Sequence, residues 1–201
     1  MWLFGREFLE RGENQRDQGK GDASLNVATI KWLDIANGPG IRISLFVSGC
    51  RHHCQGCFNP ETWDFDYGTI YTKETQECIL DGLEKQYVCG LTLLGGEPFE
   101  PENQAELLEL TNSVRQKYPE KSIWCYTGYT LEQDILSGKL GKPEVSMALL
   151  RNLDVLVDGE FHIEEKNPSL RFRGSENQRI IDVQESLKDG KTILWDGREE
   201  P

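Results

Sequence analysis

The sequence lacks any apolar run of about 18 residues, so no stretch of it reads as a membrane-spanning helix. It is also short of positive charge. Its 22 lysines and arginines stand against 34 aspartates and glutamates, a net charge of −12. Nucleic acid and membrane surfaces are polyanions, so neither is expected as a general partner, although a local basic patch is still compatible with the total. The opening residues, MWLFGREFLERGEN, meet charges too early for a signal peptide, which makes the cytoplasm the expected location. There is no internal repeat and no low-complexity segment.

What is present suffices for one domain with a real core: 201 residues, 37% of them hydrophobic. Residues 1–26 are polar, glycine-dotted and of mixed charge, and read as a mobile N-terminal extension to a domain over 27–201. From there strand and helix patterns alternate. NGPG at 37–40 is a turn, and IRISLFVS at 41–48 is β-rich. A helix is expected over Lys73–Val88, with Ile79, Leu83 and Tyr87 on one face beside Leu80. LTLL at 91–94 reads as a strand, Glu102–Tyr118 as a helix, SIWCYT at 122–127 as a strand and Leu131–Ser137 as a weaker helix. SMALLRN is a short helix, LDVLVD at 153–158 a strand, and IIDV and KTILW short late strands.

This alternation predicts an α/β fold with a mostly parallel sheet. There are too few βα units for a closed eight-stranded barrel. Parallel sheets place their chemistry at the C-terminal ends of strands. Four unusual loops fall there: the segment GCRHHCQGCFN, then Gly95–Gly96–Glu97, Thr127–Gly128 and Asp158–Gly159.

Six cysteines occur, at 50, 54, 57, 78, 89 and 125. In a reducing compartment thiols serve metals or catalysis, or are simply buried. Cys78, Cys89 and Cys125 lie far apart in sequence and are expected to be small buried hydrophobes. Cys50, Cys54 and Cys57 are spaced x3 and x2 on one loop. Such thiolates suit a 4Fe–4S cluster with one iron left open, or a Cys3His zinc site completed by His52 or His53. The two histidines otherwise read as exposed loop residues. The thiols alone leave both metals open. GGEP on the next strand end favours the cluster: paired glycines let main chain approach a ligand, and Glu97, or carbonyls near it, can face a small molecule's amino group.

That combination resembles the radical S-adenosylmethionine (SAM) superfamily. NGPGIR, CxGCFN, TW at 62–63, IWCYTGY at 123–129, VLVDGEF at 155–161 and RFRGSENQRIID at 171–182 occur together and in order. This set is similar to the activases of anaerobic (class III) ribonucleotide reductases and covers roughly residues 30–183. Many superfamily members carry an aromatic residue before the third cysteine. Here Gly56 stands there and Phe58 follows, an arrangement that the activase subgroup shares.

The resemblance implies a partial, open βα barrel. It implies a 4Fe–4S cluster on Cys50, Cys54 and Cys57, with SAM against Gly56, Cys57, Phe58, Gly95, Gly96 and Glu97, and with Thr127 and Asp158 lining the cavity. It implies reductive SAM cleavage, giving methionine and a radical that takes hydrogen from a glycine near the C-terminus of anaerobic ribonucleoside-triphosphate reductase. A low-potential donor such as flavodoxin or ferredoxin would supply the electron. Asp34 and Arg42, flanking the NGPG turn, read as a surface ion pair, and RGSENQR as a polar loop near the site or the partner. The competing readings are an activase of the pyruvate formate-lyase type and a non-enzymatic zinc-binding interaction module.

Overall fold

The computed structural model describes residues 24–197. Residues 1–23 of the expected extension lie outside the described residues. Leu25, fully buried, and Asn26, the first residue of a strand, belong to the fold.

Among the described residues eight strands form one sheet: β1 (Asn26–Asp34), β2 (Ile41–Val47), β3 (Thr69–Ile70), β4 (Val88–Gly95), β5 (Ser122–Tyr126), β6 (Val155–Asp158), β7 (Arg179–Asp182) and β8 (Ile193–Leu194). Their spatial order is β3-β1-β2-β4-β5-β6-β7-β8. Three of the seven pairings are parallel: β2 with β4, β4 with β5 and β5 with β6. The other four are antiparallel, so the sheet has a parallel centre and antiparallel flanks instead of being mostly parallel. For β1 and β2 a short connection causes this. Gly38 and Gly40 turn β1 straight back into β2 with positive φ, leaving no room for the helical crossover that a parallel neighbour needs.

Among the described residues four helices cover one face: α1 (Lys73–Leu83), α2 (Pro101–Lys117), α3 (Pro143–Arg151) and α4 (Val183–Asp189). The Thr72 hydroxyl accepts the Thr75 N–H at the start of α1, proline opens α2 and α3, and the Asp182 carboxylate caps α4. Side chains alternate across a strand. Ile43, Leu45 and Val47 therefore join Leu91, Leu93, Ile123, Cys125 and Leu156 in a core with Ile79, Leu83, Leu107, Leu110 and Leu149. The opposite face carries a smaller cluster of Trp124, Val155 and Val157, with Tyr126, Phe172, Ile180 and Trp195 packed on it.

Helix α1 ends five residues before the expected Val88. Tyr87 lies beyond it, 57% exposed, and Val88 begins β4. The segment Leu131–Ile135 is a single π-helical turn. Cys125 is buried as expected, but Cys78 is half-buried and Cys89 exposed. At the start of β4, Cys89 packs over Gly40, whose absent Cβ would stand 2.3 Å from its sulfur. Among the described residues no helix is long and apolar enough to cross a membrane.

Candidate functional site

Loops after β2, β4, β5 and β6 meet at one edge of the sheet, as the sequence predicts. The cysteine loop is pinned where it leaves β2. Ser48 N–H donates to Asn26 (2.9 Å), Gly49 N–H to Thr62 (2.8 Å) and Cys50 N–H to Trp63 (3.2 Å), each to a carbonyl. Cys57 N–H closes a turn onto the Cys54 carbonyl at 3.1 Å. Gly56 takes φ 74° in that turn, and a Cβ there would reach Ile163 at 2.8 Å. Phe58 is exposed and packs on Phe161, ring centroids 5.1 Å apart.

The thiols of Cys50, Cys54 and Cys57 are free, and Asn59 N–H points at the Cys57 sulfur from 3.4 Å. Burial pushes the Cys50 thiol up to about 12, with the Glu97 charge adding to the effect, and burial also raises Cys54. A thiol that binds a metal gives up its proton. Among the described residues no three or more His, Cys, Asp or Glu side chains are gathered as around a single metal ion. A single zinc needs every ligand atom within about 2.3 Å of one point. A four-iron cluster makes no such demand, because each thiolate binds a different iron. The donor set fits the cluster on its chemistry: three free thiols on one short loop with an amide aimed at a sulfur.

His52 departs from the exposed loop residue that the sequence suggests. Its Nδ1 is 2.8 Å from Glu160 Oε1 and its Nε2 3.2 Å from Glu97 Oε2. Burial alone would push its pKa down, but the hydrogen bonds and charges of the two carboxylates outweigh it and raise it to about 9. With both nitrogens so engaged, His52 does not complete a Cys3His zinc site. His53 is exposed and stacks on Trp63 at 4.7 Å.

Glu97 is buried, and protein donors surround its carboxylate. Oε1 accepts from the Thr127 hydroxyl (2.8 Å) and Phe99 N–H (2.8 Å), and Oε2 from Gly128 N–H (2.7 Å). Thr127 in turn accepts Tyr129 N–H at 3.0 Å. The carboxylate thus joins the loops after β4 and β5 to His52. The paired glycines also serve the fold. A Cβ on Gly95 would meet the Val47 carbonyl at 2.7 Å, and one on Gly96 would meet the Gly49 carbonyl at 2.6 Å. The main chain that approaches them closely is the end of β2 and the start of the cysteine loop.

Asp158 is likewise buried and occupied. It accepts Leu131 N–H at 2.9 Å and both Nε (2.9 Å) and Nη2 of Arg179, the last residue of RGSENQR. Arg179 also grips Glu132 at 2.7 and 3.0 Å; this hydrogen bonding holds the Glu132 carboxyl down to about 2, against burial, with Thr192 adding to it. Gln178 donates to the Gly159 carbonyl at 3.0 Å and Asn177 to that of Glu160 at 2.8 Å. RGSENQR thereby latches onto the loop after β6, and Gly174 faces Phe58 and Phe161. A cleft of about 590 Å³ opens here, lined by His52, Tyr129, Thr130, Asp158, Glu160 and Arg179 among others.

Sequence reasoning missed three contributors. Arg51 binds Glu100 and Glu102 and fixes the outer side of the cysteine loop. Glu160 anchors His52. Arg42 is wholly buried and makes no surface ion pair with Asp34. It donates to Thr92 (2.7 Å), Leu91 (2.8 Å) and both oxygens of Ser122 (2.9 Å each), tying β2, β4 and β5 together, and burial lowers its pKa to about 10. Asp34 instead accepts Ala36 N–H at 3.0 Å and the Asn37 amide within its own turn.

Three free thiols lie on the loop that follows a parallel strand, and residues 36–181 match the family model of the 4Fe–4S single cluster domain, which makes the chain an iron–sulfur domain protein. A relative from Vibrio cholerae serotype O1 is 43% identical over 150 residues, 74% of this chain and 92% of the relative. One from Enterobacteria phage T4 is 40% identical over 158 residues, 78% and 93% of the two chains, and one from Escherichia coli (strain K12) 40% over 150 residues, 74% and 92%. Each of the three is named anaerobic ribonucleoside-triphosphate reductase-activating protein. The chain belongs to this family of reductase-activating proteins.

Proposed function

We propose that this chain is an enzyme that activates an anaerobic ribonucleoside-triphosphate reductase, acting as a radical SAM oxidoreductase in the cytoplasm. The carrying observation is the free thiol loop on β2, locked against the GGE turn of β4, in a chain about 40% identical to reductase-activating proteins. Cys50, Cys54 and Cys57 would hold the cluster. When bound, the cluster would supply the single electron for reductive cleavage of SAM, with methionine as the leaving product and hydrogen abstraction from the reductase's glycine as the outcome.

The chain's own part is to bind, orient and exclude water. SAM would rest on main chain, at Gly95–Gly96 on one side and Gly56–Cys57–Phe58 on the other. The carboxylates of Glu97 and Asp158 and the Thr127 hydroxyl hold the loops that form its walls. The cleft of about 590 Å³ is lined from the loops after β2, β5 and β6 and not by Gly56, Gly95 or Gly96; its volume falls in the size range of small-molecule sites. The sheet ends in β3 and β8, which do not pair with each other, and this suits a partial barrel that admits a polypeptide segment from the side. A flavodoxin or ferredoxin would deliver the electron.

The test mixes reconstituted protein, dithionite, SAM and an anaerobic ribonucleotide reductase. A glycyl doublet in the EPR spectrum, with methionine and 5′-deoxyadenosine accumulating, is expected. A doublet on pyruvate formate-lyase and none on the reductase would assign the chain to that enzyme instead.

A further inference from the structure

One side chain of the cysteine loop touches all three other strand-end loops. His52 sits between Cys50 and Cys54, yet its side chain is only 10% exposed. Its ring reaches Glu97 after β4 at 3.2 Å and Glu160 after β6 at 2.8 Å. It meets Tyr129, after β5, edge-on with centroids 4.4 Å apart. The β5 loop makes room for it: a Cβ on Gly128 would stand 2.7 Å from ring atoms of His52. His53, next in sequence, is turned outward onto Trp63.

We propose that His52 is a positioning residue for the radical reaction, fixing the cysteine loop relative to the GGE turn and the cleft. The inference rests on the function proposed above. Three thiolate bonds retain a cluster but do not set the tilt of the loop on the sheet. Arg51 anchors the outer side of that loop through Glu100 and Glu102, and His52 anchors the inner side. Its two ring nitrogens face carboxylates from two different loops, so turning the ring breaks at least one tie. A misplacement of about 1 Å between reacting groups can cost on the order of a hundredfold in rate. Retention of the cluster and competence for SAM cleavage should therefore separate at this residue.

His52→Phe keeps a ring in the space and removes both ties. In cluster-free protein, hydrogen exchange over residues 49–58 should quicken while the rest of the sheet keeps its protection. After reconstitution, iron content should match the wild type. The change that SAM induces in the EPR spectrum of the reduced cluster should be altered, and 5′-deoxyadenosine formation should fall about tenfold or more. His52→Gln, which can still donate to Glu97, should recover part of the rate. A His52→Phe protein with wild-type exchange, SAM response and rate would overturn the proposal. So would rates that follow iron content alone in both variants, since His52 would then only stabilise the loop. If His52→Phe does not fold, Glu160→Gln decides: a reduced rate at full iron supports the positioning role, and a wild-type rate overturns it. Wild-type protein that loads a cluster but never cleaves SAM refutes the function itself, whereas normal cleavage by both wild type and His52→Phe refutes only this inference.

Discussion

Gly96 and Gly49 are in main-chain contact: the Cβ that Gly96 lacks would lie 2.6 Å from the Gly49 carbonyl oxygen, and 2.9 Å from that of Thr62. Neither oxygen can move far, because Gly49 N–H is bonded to the Thr62 carbonyl and the Gly49 carbonyl accepts Glu97 N–H, both at 2.8 Å. Gly96→Ala should therefore overpack the junction and cost about 1–3 kcal/mol. Thermal unfolding of cluster-free protein measures this. A glycine kept only for an approaching ligand would leave the apo midpoint unchanged and lower SAM affinity alone.

The three loop thiols and the other three should behave as separate sets. Replacing Cys50, Cys54 or Cys57 by Ala should abolish a stable 4Fe–4S cluster. Replacing Cys78, Cys89 or Cys125 by Ser should leave iron content intact. Cys125→Ser alone should lower the thermal midpoint, since Cys125 is fully buried and Cys89 exposed, and a buried hydroxyl needs a partner. Iron and sulfide per chain after anaerobic reconstitution give the answer.

Glu97→Gln should act on stability before it acts on the ligand. Donors from Thr127, Phe99 and Gly128 converge on the carboxylate. An amide presents its own N–H groups to at least one of them, and an unsatisfied buried donor costs about 1–3 kcal/mol. The cluster-free variant should melt earlier than wild type. A normal melt with weakened SAM binding would return Glu97 to the amino-group role that the sequence suggests.

Much of the site is legible in sequence because its signals are local. The x3 and x2 cysteine spacing, the glycine pair and the strand-end positions of Thr127 and Asp158 all follow from short windows. The flanks of the sheet are not legible in this way. Strand β1 exposes Trp32 and Leu33, with Ile35 exposed just past its end, so its pattern does not alternate as a half-buried strand should. Arg42 defeats expectation for the same physical reason as His52. Each partner set lies tens of residues away, on Thr92 and Ser122 for the arginine and on Glu97 and Glu160 for the histidine. A charged residue beside a turn reads as surface unless those partners are seen. The glycines of GGE are legible as close-approach positions, but the main chain of Val47 and Gly49 that packs on them is not.

The role of RGSENQR turns on Arg179 and Asp158, and a double-mutant cycle can isolate it. Asp158 is a buried carboxylate whose counterion is Arg179. Arg179→Met removes that charge and leaves the carboxylate with Leu131 N–H. Stripping the partner from a buried ion is costly because the remaining charge stays desolvated. Arg179 is itself about a third exposed (35%), so water can replace part of it and the loss should be about 2 kcal/mol. Asp158→Asn in the same chain removes the stranded charge, and the double variant should be more stable than the sum of the two single losses by about 1–2 kcal/mol. Additive losses would mean that the pair is not coupled. The Arg179→Met protein should also lose hydrogen-exchange protection over 159–178, the loop after β6 whose end Gln178 and Asn177 tie back to its start at Gly159 and Glu160. Because Gly174 of that segment faces Phe58 beside Cys57, its loosening should lower glycyl radical yield more than it lowers iron content. Equal losses of both would make the latch a support for the cluster loop alone.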